Sequence, residues 1–419
     1  MRNLKRIGSI AAAGALLCIL LTACGADPAG EQPAAKPADV LAAEITPKAA
    51  DQPFCEAQTA FAAELLRRVQ TGFDGENIMV SPYSVVQALA MAANGAAGDT
   101  RTEMEQLLGG KIPLDVLDQY LYAWRTEQPD TKTCKLKTAN AIWIKDSDFE
   151  VNPDFLTVNR EWFGAECRKA PFDTDTVSDI NRWVSDKTDD MIPKIIDNLT
   201  PDMRSVLVNA VCFDAKWQTP YESEEIKSAK FRNADGSETE TEMMYSDEAV
   251  YLEQDGAVGF LRYYDGPYAF AGILPPEDLT VEEYLAQLDG EQLGRLLTDV
   301  QETEVRAGMP AFSGDTTVEL KGILSEMGMP AAFTEQADFS GISGTNPVRI
   351  GEVIHKTHID VDANGTKAAA ATAVTFQANG ILVSDQKFVI LNRPFVYAIV
   401  DLNTHLPVFI GTVQHLAAE

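Results

Sequence analysis

Between Asn77 and Gly110 the chain reads NIMVSPYSVVQALAMAANGAAGDTRTEMEQLLGG. Val85, Val86, Leu89 and Ala93 recur at helical intervals, which predicts a helix. Ser81 suits its N-cap, Pro82 its first position and Gly95 its stop. A second helix is predicted from Thr100, where Glu103 completes a capping box and the pair Gly109-Gly110 ends the run. Thr138 to Lys145 alternates as a strand, Asn152 to Phe163 has helical character, another strand is expected near Glu166 to Phe172, and Ile180 to Thr188 is helical. Ser205 to Trp217 is apolar at nearly every position, as a central strand covered on both faces would be. Strands and helices continue through YAFAGILPP (268–276) and VEEYLAQL (281–288) without a second linker or a repeat. One domain from residue 54 to 419 is the simplest organisation.

One stretch conflicts with its own composition. Gly365 to Gly380 reads GTKAAAATAVTFQANG, with four consecutive alanines that favour helix, yet Thr, Val and Phe follow at alternating positions. Taken as a strand, Thr366, Ala368, Ala370, Thr372, Val374 and Phe376 share one face, all small or apolar, while Lys367, Ala369, Ala371, Ala373, Thr375 and Gln377 share the other. A linker has no need of that division, and a helix would smear it around the cylinder.

The first 53 residues follow a different pattern. Arg2, Lys5 and Arg6 precede a short apolar run from Ile7 to Leu21, and LTAC closes it at Cys24. Basic, apolar and small-residue parts in that order read as a targeting segment, residues 1–23, and LTAC resembles the bacterial lipoprotein signal in which the cysteine is lipidated. An ordinary secretory signal is the alternative; either way the protein leaves the cytoplasm. Residues 24–53 are rich in Ala, Pro, Glu and Asp with few large apolar side chains, and read as a tether. The formal net charge of -29 argues against nucleic acid or an anionic bilayer as a direct partner. Contact with the membrane is therefore expected through the lipid anchor alone. Cys55, Cys134, Cys167 and Cys212 have no regular spacing, and Cys212 inside VLVNAVCF reads as a small buried core residue.

Exported domains are often hydrolases, so the usual catalytic constellations matter. HExxH, GxSxG and a Walker loop do not occur, and the glycines form no dinucleotide fingerprint. His355 and His358 make HxxH, but on a strand an offset of three puts them on opposite faces, poorly placed to share a metal. No catalytic residue, metal or cofactor is predicted.

Six segments taken together resemble the serpin family. They are NIMVSPYSVVQALAMAANGAAGDT, LVNAVCFDAKW, LKGILSEMGMPAAFTEQADFSGIS, HKTHIDVDANGTKAAAATA, LNRPFVYAIVD and PVFIGTV, in the family's order and at its usual separations along almost the whole chain after Phe54. The resemblance implies a mixed α/β serpin fold of three β-sheets and eight or nine helices, with an exposed reactive-centre loop near the C-terminus. It also implies a suicide inhibitor of serine proteases rather than an enzyme: the loop is cut, Thr366 to Phe376 inserts as a new sheet strand, and the attached protease is carried away. The loop hinge would be Gly365, Thr366, Lys367, Ala368, Ala369, Ala370, Ala371 and Thr372. The family favours acidic residues around the glycine, where this chain has Ala363, Asn364 and Lys367.

Counting from Gly365 as the family counts puts the scissile bond at Asn379-Gly380, with cleavage after Ala378 as the near alternative. Elastase-like or subtilisin-like extracellular proteases would suit the latter. Ser81, Ser84, Asn209 and His355 match the polar cluster beneath the family's main sheet, and Trp217 the aromatic where the loop first enters. Members that bind sulfated polysaccharide use a basic helix; here EMEQLLGG and its neighbours are acidic. The expected molecule is a monomeric, surface-tethered inhibitor. The competing reading is a serpin-shaped binding lipoprotein that is cut without trapping.

Overall fold

The computed structural model describes residues 13–23, 45–73, 75–146, 149–345, 347–365 and 386–416. Along the chain the elements are β1 (Ala13–Ala23), α1 (Gln52–Thr71), β2 (Ile78–Val80), α2 (Pro82–Ala93), α3 (Gly98–Gly109), α4 (Leu114–Thr126), β3 (Cys134–Lys145), α5 (Pro153–Phe163), β4 (Glu166–Ala170), α6 (Thr174–Lys187) and β5 (Met203–Ala215). There follow β6 (Ile226–Arg232), β7 (Glu238–Gln254), β8 (Ala257–Tyr263), β9 (Tyr268–Leu274), α7 (Val281–Gln287), α8 (Gly290–Thr298), β10 (Gln301–Pro310) and β11 (Phe312–Glu319). The last are α9 (Lys321–Glu326), β12 (Val348–Val361), β13 (Lys387–Ile390), β14 (Phe395–Asp401) and β15 (Leu406–Val413).

Among the described residues the strands form two hydrogen-bonded ladders. One has six strands in the order β11-β12-β1-β5-β3-β4; the other runs β13-β10-β7-β8-β9-β14-β15-β2, with β6 also on β7. The larger ladder is two sheets joined through the long β7. Its residues up to Tyr251 pair with β6 and β10, and only its last four, from Tyr251 to Gln254, pair with β8. With the six-stranded sheet these make up the three sheets the sequence led us to expect.

The six-stranded sheet separates two apolar clusters, which explains why its inner strands lack alternation. Leu207, Val211 and Phe213 of β5 join the large core beneath α2, whereas Val206, Val208 and Ala210 join Trp143, Ile180 and Trp183 on the other face. Cys212 is buried within β5, as expected.

Two boundaries differ from the sequence reading, and one segment takes a place in a sheet that the reading did not give it. The second helix starts at Gly98, not Thr100: Gly98 takes φ +53° and Ala97 precedes the helix without a side-chain cap. Thr100 and Glu103 serve tertiary contacts instead, accepting from the backbone N–H groups of Asp338 (2.9 Å) and Ala331 (2.7 Å). The division at 53/54 falls inside α1, whose N-cap is Asp51, accepting from Phe54 N–H at 3.3 Å. The body begins earlier still. Lys48 donates its N–H to Gln119 O at 3.2 Å and places its ammonium 4.4 Å from the Tyr120 ring centroid. Finally, part of the apolar run read as a targeting segment is β1, a central strand of the six-stranded sheet.

Candidate functional site

The site grows from the α2 N-terminus. Ser81 is its N-cap, accepting from Ser84 N–H at 3.1 Å, with Pro82 at the first turn, as the sequence led us to expect. The cap also donates its hydroxyl to Val408 O at 2.8 Å, tying α2 to β15. Ser81 N–H donates to His355 Nε2 at 3.1 Å, so that nitrogen carries no proton and the ring is neutral. One turn on, Ser84 Oγ donates to Asn209 Oδ1 at 2.6 Å, Asn209 Nδ2 donates to Asn140 Oδ1 at 2.7 Å, and Asn140 Nδ2 donates to Phe163 O at 2.7 Å.

Ser81, Ser84, Asn209 and His355 are therefore one connected assembly, all of it fully buried. The register explains the geometry. His355 on β12 and Asn209 on β5 both lie opposite Leu17 of β1, and Asn209 lies opposite Asn140 of β3, so one row of side chains crosses the sheet. Asn140 was not foreseen as a member, although its place in the alternating TANAIWIK segment was the available signal. Two threonines extend the polar set: Thr357 Oγ donates to Met79 O at 2.8 Å, and Thr316 Oγ accepts from Met79 N–H at 2.9 Å.

Trp217 stands apart from this row. Eight residues of extended chain separate it from Asn209, about 26 Å at the usual rise of a strand, and it holds the turn that leaves β12. Its indole Nε1–H donates to Asp362 O at 2.9 Å and its backbone N–H to Asn364 O at 3.3 Å. The ring stacks on Tyr264, centroids 4.4 Å apart and planes 12° from parallel. Arg262, 5.1 Å from the Trp217 ring and 3.7 Å from that of Tyr221, is ion-paired with Glu248 in a buried position.

Gly365 is pinned against the same place. It bridges to Lys216 and takes φ +99°, and a Cβ there would lie 2.3 Å from Trp217 N and 2.7 Å from Lys216 C. Only glycine fits this backbone. Ala363 and Asn364, which depart from the family's acidic pattern, act through their carbonyls, accepting from Tyr221 N–H (2.9 Å) and Trp217 N–H. Other side chains would leave those contacts intact.

Between these two regions β12 and β5 are separated by one strand. β1 fills that slot, antiparallel to both, with Ala13 opposite Ile359 and Phe213 and Thr22 opposite Arg349 and Met203. Leu17, Ile19 and Leu21 enter the large core; Cys18 and Leu20 enter the second cluster. His355 and His358 face opposite sides of the sheet, as their spacing led us to expect, and His358 Nδ1 is 2.8 Å from Asp315 Oδ1. Thr366 to Thr372 of the hinge, Phe376, the bonds at Ala378, Asn379 and Gly380, and Cys24 lie outside the described residues.

A family model described as "Serpin (serine protease inhibitor)" matches residues 56–416. Among similar proteins, a serpin-like protein of Methanosarcina mazei is 31% identical over 86% of this chain and 86% of its own length. The leukocyte elastase inhibitor of Bos taurus is 31% identical over 85% of this chain and 98% of its own. Among solved structures, the thermophilic serpin tengpin in its native state is 39% identical over 89% of this chain and 98% of its own, with a TM-score of 0.81. The chain belongs to the serpin family.

Proposed function

We propose that this protein is a suicide inhibitor of serine proteases that works by strand insertion. A protease serine attacks the Asn379 carbonyl, the bond to Gly380 breaks with the amine leaving, and an ester joins the protease to the loop. Thr366 to Phe376 then fills the slot between β12 and β5. About fifteen residues of strand carry the attached protease some 50 Å. A ladder of new backbone hydrogen bonds, each about 0.5–1.5 kcal/mol net, together with buried Val374 and Phe376 supplies the driving force.

The slot itself carries this reading. β12 and β5 accommodate an antiparallel strand between them, in the direction a chain doubling back at Gly365 would take. The alternation of the loop segment suits such a place, and it brings neither proline nor a charge to its small-residue face. The elastase inhibitor among the relatives and the residue Ala378 favour elastase-like or subtilisin-like targets. The leader and Cys24 favour action outside the cytoplasm, on a lipid anchor.

The test is to mix protein recovered after export with elastase and with subtilisin. An SDS-resistant adduct is expected, with a released peptide beginning at Gly380, or at Asn379 where the protease cuts after Ala378, and the nicked protein should melt above the intact one. Clean cleavage with no adduct and no rise in melting temperature would establish the alternative, a serpin-fold protein cut only as a substrate.

A further inference from the structure

We infer that the leader segment Ala13–Ala23 is an intramolecular ligand of the strand slot, and that a precursor folded with its leader in place is closed to loop insertion. This rests on the inhibitor reading for its consequence but not for its geometry. β1 pairs along its whole length with β12 on one side and along nearly all of it with β5 on the other. Leu17, Cys18, Ile19 and Leu21 are 0% exposed and Leu20 is 1% exposed. A strand buried on both faces needs apolar residues at successive positions rather than alternating ones, and Leu17 to Leu21 supplies them.

The fit extends to the backbone. Gly351 is bulged out opposite the step from Leu20 to Leu21, and a Cβ on it would lie 2.6 Å from Thr22 Cγ2. Leu17 occupies the gap in the polar row, between His355 and Asn209. The loop and the leader thus compete for one place. The leader brings leucine and isoleucine where the loop brings mainly alanine and threonine, and two strands cannot occupy one ladder position. A chain that fails to be exported would be inert toward proteases on its own side of the membrane, and loss of the leader would free the slot.

A cross-link tests the placement directly. Cys18 and Val208 are opposed on adjacent strands with side chains in the same cluster, and opposed residues of antiparallel strands have a spacing that disulfides tolerate. In full-length Val208→Cys protein folded without export, mild oxidation should join Cys18 to the new thiol, as peptide mapping would show. That full chain, without the substitution, should form at least about tenfold less protease adduct than exported protein, the drop expected when the competent state falls below about a tenth of the population. A full-length Leu17→Asp/Ile19→Asp variant, which puts two carboxylates where β1 is buried, should recover adduct formation. Absence of the cross-link, or equal adduct from the leader-bearing chain and exported protein, would overturn the inference. A cross-link together with no adduct from the exported protein would instead uphold the leader's placement and overturn the inhibitor reading.

Discussion

The slot between β12 and β5 is held differently at its middle and at its upper end. At the middle, Ser81, Ser84, Asn209, Asn140 and His355 make a chain of hydrogen bonds in which every link has a side chain at one end or both. At the upper end the turn from Asp362 to Gly365 is held to Lys216, Trp217 and Tyr221 through backbone carbonyls and a glycine in a left-handed conformation. Side-chain links can be exchanged one at a time as strands part, because amides and hydroxyls find new partners by rotating. A backbone clamp sealed by a buried, stacked tryptophan cannot. Under the proposed insertion, the middle would open first and the upper end would hold until a strand follows Gly365.

The largest effects are expected at the clamp. Trp217→Ala removes an indole that is 2% exposed, its stack on Tyr264 and its bond to Asp362, and should cost about 3–5 kcal/mol in urea unfolding. Gly365→Ala should also destabilise, since its new methyl meets backbone rather than a movable side chain. A Gly365→Ala protein with the wild-type midpoint would show that the clamp yields as readily as the middle, and the contrast would fail.

Smaller losses are expected at mid-sheet. Ser84→Ala leaves buried Asn209 Oδ1 without its donor, and Asn140→Ala leaves Asn209 Nδ2 without its acceptor; each should cost about 1–3 kcal/mol. Because both bonds share Asn209, the double variant should deviate from additivity by about 0.5–3 kcal/mol. Trp217→Ala combined with Ser84→Ala should add simply, the sites lying far apart. Coupling between those two would mean that middle and upper end open as one unit.

The two regions also differed in how far the sequence disclosed them. Gly365 and Trp217 could be assigned to the loop's point of departure only through the resemblance to the serpin family, since a buried core Trp by itself would look the same. Four members of the polar row were readable only from the resemblance to the serpin family, whereas the Ser81-Pro82 cap was readable from local chemistry alone. Asn140 was not, because its membership depends on which residue β5 places opposite it, and register is a property of two strands. Lys48 escaped notice because one contact with Tyr120 leaves no mark on an Ala/Pro-rich composition. β1 was hidden for a deeper reason. A strand covered on both faces has no period, so the same run of Leu and Ile serves a leader and a central strand equally well.

The smallest expected effect concerns charge, and it separates the regions by pH. His355, at mid-sheet, is neutral by its bonding. Near the upper end of β12, Asp360 is half-buried; burial chiefly, with help from the Asp362 charge and against that of His358, pushes its carboxyl up to about 6. Its folded value lies above the unfolded one of about 3.8, so the native state binds the extra proton between them. Stability from this group is complete below about pH 4, declines as pH rises to about 6, and is level above. Asp360→Asn should therefore match the parent at pH 4 and exceed it at pH 7.5. Solvent screening at a half-exposed site should hold the gain under about 1 kcal/mol. Melting curves at the two pH values measure it, and equal differences at both would remove Asp360 from the forces that act on the clamp.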